Sequence, residues 1–206
     1  MHVGILASAF GLGAALGLLP GPVQLLLLTE ATRGGIRRGF TAMAGTNGTF
    51  GLELLVLAAG LSVLVPGETA LRVLKVVGGG FLLLLAWDAF RPAIRPSEDG
   101  PAASRSGSTP FLKGVFAVLL NPGAWVFLAT TASALFATAV TKGGRPLSLL
   151  SAVAMVVGIA LVDASMVLLG GGVRRFRAAG ARWLTPILAC GLAAFGILLV
   201  IQGIRG

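Results

Sequence analysis

The sequence predicts an all-α polytopic membrane protein of six transmembrane helices, built as two inverted three-helix repeats whose first and fourth helices are broken. Three observations predict it. Apolar residues make up 56% of the 206 and charged residues only 11%, where a soluble domain carries roughly 25% charge. The apolar stretches reach the ~20 residues that a helix needs to cross a bilayer. Two of them are interrupted, at Leu18-Leu19-Pro20-Gly21-Pro22-Val23 and at Leu119-Leu120-Asn121-Pro122-Gly123-Ala124. Proline lacks the backbone donor and clashes with the preceding turn, so no continuous helix is expected through either place.

The first span runs from about Val3 to Thr29, and no run of basic residues precedes it, which argues against a cleaved signal peptide. The second covers about Phe40 to Val65 and stops at Pro66-Gly67; the third covers about Val73 to Phe90 and stops before Arg91-Pro92. Thr109-Pro110 supplies an N-cap and first-turn pair for the fourth, which reaches about Val140. Pro146 and Thr185-Pro186 open the fifth and sixth in the same way, and these end near Gly172 and Ile204. Between the third and fourth, a stretch rich in Pro, Ser, Gly and charge reads as a flexible linker. The chain is then one transmembrane domain, residues 1–206, with repeat 1 at about 1–91, a linker at about 92–110 and repeat 2 at about 111–206.

The halves echo each other. Phe81 to Arg91 (FLLLLAWDAFR) closes the third span, and Phe195 to Arg205 (FGILLVIQGIR) closes the sixth with Phe, Leu, Leu and Arg in register. A unit with an odd number of spans must lie in opposite orientations when used twice, which is the inverted repeat of many secondary transporters. Charge supplies the orientation. The loops after spans one, three and five hold Arg33, Arg37, Arg38, Arg91, Arg95, Arg105, Lys113, Arg174, Arg175, Arg177 and Arg182; the other side holds Arg72, Lys75, Lys142, Arg145 and Arg205. The richer loops belong in the cytoplasm, so both termini face outward. The net charge of +9 flanks apolar spans and so points to anionic lipid rather than to nucleic acid.

Breaks at matching places in two halves are the sequence pointer to a transporter's substrate site. A half-helix start presents free N–H groups and a positive dipole end, which attract a carboxylate. Pro20, Gly21 and Pro22 with Gln24, and Asn121, Pro122 and Gly123, are the candidate substrate-binding residues, with Asn47 and Thr46 lining the same cavity. A plain proline kink without a ligand is the alternative at either break, and membrane helices also use Asn and Thr to join neighbours. Glu53 and Asp163 are the acids placed deep in spans, each in the middle helix of its half. An acid there costs about 2.5–3.5 kcal/mol to insert and must face a cavity or a partner. Both are candidates for proton coupling, and an ionised form suits a substrate ammonium group; packing against broken backbone is the alternative. Asp88 lies at a span end beside Arg91, where an interfacial ion pair is expected.

Other chemistries find little material. No catalytic constellation is expected. His2 is the only histidine and Cys190 the only cysteine, which leaves no Ser–His pair, no paired thiols, no histidine-built metal site and no cofactor. Gly78-Gly79-Gly80 and Gly170-Gly171-Gly172 are not followed by Lys-Ser/Thr, so they read as close-packing or helix-ending positions and not phosphate loops. The Arg174-Arg175-Phe176-Arg177 cluster suits anionic headgroups. Export of a divalent or heavy-metal cation stays open as the alternative function, since two acids and Asn residues could hold a hard cation.

At these residues the chain resembles the LysE-type amino-acid translocator family, exporters of lysine, threonine, homoserine and related metabolites. The resemblance rests on LLPGPVQLLLL from Leu18, the Thr32-Arg33-Gly34-Gly35 turn with Arg38-Gly39, and Gly45 to Gly48. It continues through Leu74 to Trp87 and from Phe111 to Ala124. It implies a multi-pass exporter in the bacterial inner (plasma) membrane, with six helices and driven by the proton gradient. Its partners would be a small-molecule substrate, an amino acid or similar metabolite, and membrane lipids, with a homodimer open. One departure is Gly123, where such proteins often carry a basic residue.

Overall fold

The computed structural model describes residues 2–60, 67–94, 109–175 and 184–205, and among these every regular element is helical. α1 (His2–Leu18) and α2 (Pro22–Gly34) meet at a 66° bend, at the first break. Gly35, at φ +83°, turns the chain directly into α3 (Ile36–Ala58), and its N–H closes α2 on the Ala31 carbonyl at 2.9 Å. α4 covers Glu68–Ile94, α5 Pro110–Leu119 and α6 Pro122–Phe127. A π-helical turn, Leu128–Ala132, leads into α7 (Ser133–Arg175), and α8 covers Leu184–Arg205.

Glu68–Phe90, Pro122–Val173 and Leu184–Arg205 are long and apolar enough to cross a membrane, and the bent α1–α2 pair makes a fourth such stretch. α3 has the length, 23 residues, but Thr46, Asn47 and Glu53 interrupt its apolar run. The 52 residues of Pro122–Val173 would reach about 78 Å if straight, more than twice the ~30 Å of a bilayer core. They are folded back instead. Gly143 (φ −158°, ψ 18°) and Gly144 (φ +69°, ψ −170°) interrupt α7. Ala132 and Phe136 before the kink then pack in one cluster with Ala152 and Met155 after it. Pro146, just beyond the kink, opens the second arm as a first-turn proline does.

Two boundaries differ from those expected. α4 does not stop before Arg91 but continues through Pro92 to Ile94. α3 ends at Ala58, followed by a turn at Gly60 with φ +80°. Most of the expected linker, residues 95–108, and the side chains of Arg91, Arg174, Arg175 and Arg177 lie outside the described residues.

Close glycine contacts set the directions of the helices. A Cβ on Gly13 would sit 2.1 Å from Met155 O, and one on Gly17 2.9 Å from Val162 Cβ and 3.5 Å from Ile159 O, so α1 and the second arm of α7 run parallel. Gly45 lies on Phe111 and Val115, while Phe50, further along α3, packs in one cluster with Val118 and stands with its ring 6.1 Å from that of Phe127, which makes α3 and α5 parallel. Gly79 lies on Gly196 and Gly203 on Arg72 and Val76, so α4 and α8 are antiparallel. Glycine permits these approaches because nothing but hydrogen stands between the backbones. The expectation of close packing holds for Gly78, Gly79, Gly170 and Gly171; Gly80 and Gly172 face open space. Leu84, Trp87, Leu161, Leu169, Ile187 and Ile204 are exposed, whereas Glu30, Thr46, Lys113, Ser148, Ser151 and Asp163 are buried. Apolar outside and polar inside is the distribution of a multi-pass membrane protein.

Candidate functional site

The local sequence dictates both breaks. At the first, Gly21 is extended (φ −152°, ψ 179°) and caps α2 without any side-chain hydrogen bond, with Pro22 in the first turn. Leu25 N–H already reaches the Gly21 carbonyl at 3.1 Å. The N–H groups of Val23 and Gln24 lie in the opening turn, where a helix offers them no carbonyl. Pro20 is exposed, while Gly21, Pro22 and Gln24 are half-buried. The second break closes on itself. Asn121 Oδ1 accepts from Gly123 N–H at 3.0 Å, and the Trp125 indole donates to the Leu119 carbonyl at 2.9 Å. Pro122 is buried and Gly123 exposed. Gly78 of α4 makes room for this break, since a Cβ there would meet Leu120 O at 2.1 Å.

Both breaks border one core. Val23, just after the first, and Ala124 and Trp125, just after the second, pack on a cluster containing Phe50, Leu54, Met155 and Ile159. Each break also faces a different acid. α2 and the second arm of α7 run parallel, with Gly170 against Leu28 and Ala31. Leu27 and Val167 share a cluster against which Val23 and Met43 pack. One turn from Val167, Leu27 and Met43 toward the break brings Asp163, Val23 and Asn47 to one layer. The Asn47 amide faces the Asp163 carboxyl as its polar neighbour, and beyond that approach neither Asn47 Nδ2 nor either buried Asp163 oxygen has a hydrogen-bond partner among the described residues.

Glu53 belongs to the other break. The parallel register of α3 and α5 sets Phe50 with Val118 in the core cluster and Glu53 level with Asn121. The Phe50 ring stands 6.1 Å from that of Phe127, in α6. Both Glu53 oxygens are buried and, among the described residues, without a hydrogen-bond partner. The π-helical turn that packs near α3 here is a form that recurs at functional sites. The structure does not bring Glu53 and Asp163 together. Gly39 lies on Val167 and Gly51 on Val156, so the two acids are about nine residues apart in level, roughly 14 Å along the helices.

A second polar assembly escapes a reading by span. Lys113, 3% exposed, donates to Glu30 Oε1 at 3.1 Å and to Asp88 Oδ2 at 2.7 Å. Arg33 reaches the same Asp88 oxygen at 3.0 Å, and Arg38 Nε pairs with Glu30 Oε2. Five charges from α2, α3, α4 and α5 thus close one end of the bundle. Asp88 takes Arg33 and Lys113; the pairing expected with Arg91 falls outside the described side chains. Glu30, 1% exposed, is a third buried acid, and Lys113 is a buried base although it stands four residues from a helix start. The available signal was helical spacing: Glu30 follows Leu26 and Leu27 on the face that buries them. Among the described residues no group of three His, Cys, Asp or Glu side chains could hold a metal ion, so the cation alternative gains no support.

Against this geometry, the family model described as LysE type translocator matches residues 14–203. No curated protein and no solved structure matches the chain.

Proposed function

The chain belongs to the LysE type translocator family, and from that membership we propose that it exports amino acids or similar small metabolites across the bacterial inner membrane in exchange for protons. The observation that carries the reading is the pair of breaks around one core, each with a buried acid from the opposite half. Glu53 and Asp163 are the coupling groups, since a carboxyl that can be neutral or charged in a water-poor interior has a reason to exchange partners. A six-span inverted repeat accounts for the helix directions. Exchanging the halves turns the parallel α1–α7 contact into the parallel α5–α3 contact and maps the antiparallel α4–α8 pair onto itself.

The charge excess places the end closed by Lys113, Glu30, Asp88, Arg33 and Arg38 in the cytoplasm, with both termini outside. This ion network then bars the site from the cytoplasm and has to part for loading. A cysteine at Lys142 should react with an impermeant thiol reagent in cells whose outer membrane is permeabilised, and a cysteine at Ser104 should react only after lysis. The opposite pattern reverses the orientation.

The experiment that tests the substrate site is the loss of the breaks. Pro20→Ala and Pro22→Ala give α1 a path into α2, and Pro122→Ala does the same between α5 and α6. With protein levels matched, export by each should fall about tenfold or more, about 1.4 kcal/mol in barrier. Unchanged export in all three makes the prolines kinks and removes the site.

A further inference from the structure

The two breaks are unequal. The second satisfies itself through Asn121 and Trp125. The first leaves α2 uncapped by any side chain, and the layer beside it holds Asp163, 1% exposed, whose oxygens have no cation among the described residues and only the Asn47 amide facing them. A carboxylate so deeply buried without a charged partner is costly, and what it lacks is a cation. The Asn47 amide that faces it is neutral and supplies no charge. The start of α2, thirteen residues long, lacks the opposite thing, an anion, for the N–H groups of Val23 and Gln24. A molecule that satisfies both must carry a cation and an anion a few ångströms apart.

We infer that Asp163, Asn47 and the opening turn of α2 form one receptor for the two charged groups of an α-amino acid, the ammonium on Asp163 and the carboxylate on the Val23 and Gln24 N–H groups. This deepens the export reading and rests on it. In an α-amino acid one carbon separates the two groups, which matches a receptor whose halves share a layer between α2 and α7. Gln24 folds back beside Gly21, its Oε1 3.3 Å from where a Cβ there would lie, and the Nε2 of the same amide is the group that would donate to the carboxylate. The side chain of the ligand would then point toward Phe50 and Ile159 in the core between the breaks. The receptor demands both charged ends and leaves the choice among amino acids to that core.

The test is competition binding to the purified full-length chain in nanodiscs, with radiolabelled L-lysine, L-threonine and L-leucine as probes. Each is competed by its unlabelled self, by its α-N-acetyl form, which lacks the ammonium, and by its methyl ester, which lacks the carboxylate. The native chain should bind at least one probe and disfavour both blocked forms by about tenfold or more. Asp163→Asn should erase the discrimination against the N-acetyl form and keep that against the ester. Val23→Pro, which removes one N–H from the opening turn where proline is tolerated, should do the reverse. Retention of full N-acetyl discrimination by Asp163→Asn, or of full ester discrimination by Val23→Pro, overturns the assignment. Binding of a probe without either discrimination overturns it too, while leaving amino-acid export standing. Binding of no probe by the native chain counts against export of these amino acids and takes the receptor down with it. If Asp163→Asn binds nothing, the Val23→Pro pattern alone decides.

Discussion

Glu53→Gln should abolish most proton-driven export, with net flux down an imposed pH gradient falling about a hundredfold, near 2.7 kcal/mol in barrier. The variant keeps the size of the side chain and removes the group that can gain and lose a proton. Glu53 stands level with the self-capped break and roughly 14 Å from Asp163. Exchange of substrate between the two faces without a gradient should therefore survive much better than net flux. Proteoliposome transport measured both ways separates these outcomes. Full proton-dependent flux in Glu53→Gln would reduce the residue to packing, and equal loss of flux and exchange would place it in the substrate site.

Lys113→Met should produce the largest loss of stability. It leaves Asp88 with Arg33 and Glu30 with Arg38, but it takes away the cation that joins the two acids at 3.1 and 2.7 Å. Removing one member of a buried ion pair costs about 3–5 kcal/mol. A loss near the lower end corresponds to about 6–12 °C in midpoint for a chain of this size. The double variant Lys113→Met with Glu30→Gln also removes the most buried carboxylate, 1% exposed, whose remaining partner Arg38 is the more exposed member at 19%, and should recover a good part of that shift. Thermal unfolding in detergent of the single and double variants reads both. A single variant as stable as the parent would mean that the network contributes nothing and that it is no barrier at the cytoplasmic end.

What could be read from the sequence was what neighbours in the chain decide. Pro20, Pro22 and the Asn121-Pro122 pair break helices by local chemistry, and the structure breaks at both places. Thr109 caps α5 as its position before Pro110 predicts, accepting from Leu112 N–H at 3.4 Å. Glu53 and Asp163 were visible as acids inside apolar runs, but their separation depends on the register of α3 against α7, which no local pattern encodes. The Glu30–Lys113 pair joins residues 83 positions apart. Each seemed to lie outside the membrane because hydropathy ends a span where charge begins. In the structure α2 runs on to Gly34, and Glu30 turns inward with the face that carries Leu26 and Leu27. Hydropathy also reports poorly on α3, whose Gly39, Gly45, Thr46 and Gly51 are buried against neighbouring helices.

The most direct measurement is efflux from proteoliposomes of the purified full-length chain, loaded with a mixture of amino acids and a divalent cation under an inward proton gradient. At least one amino acid should leave faster than from empty liposomes, dissipating the gradient should slow it, and the cation should not move. Release of the cation with no amino acid following the gradient would contradict amino-acid export.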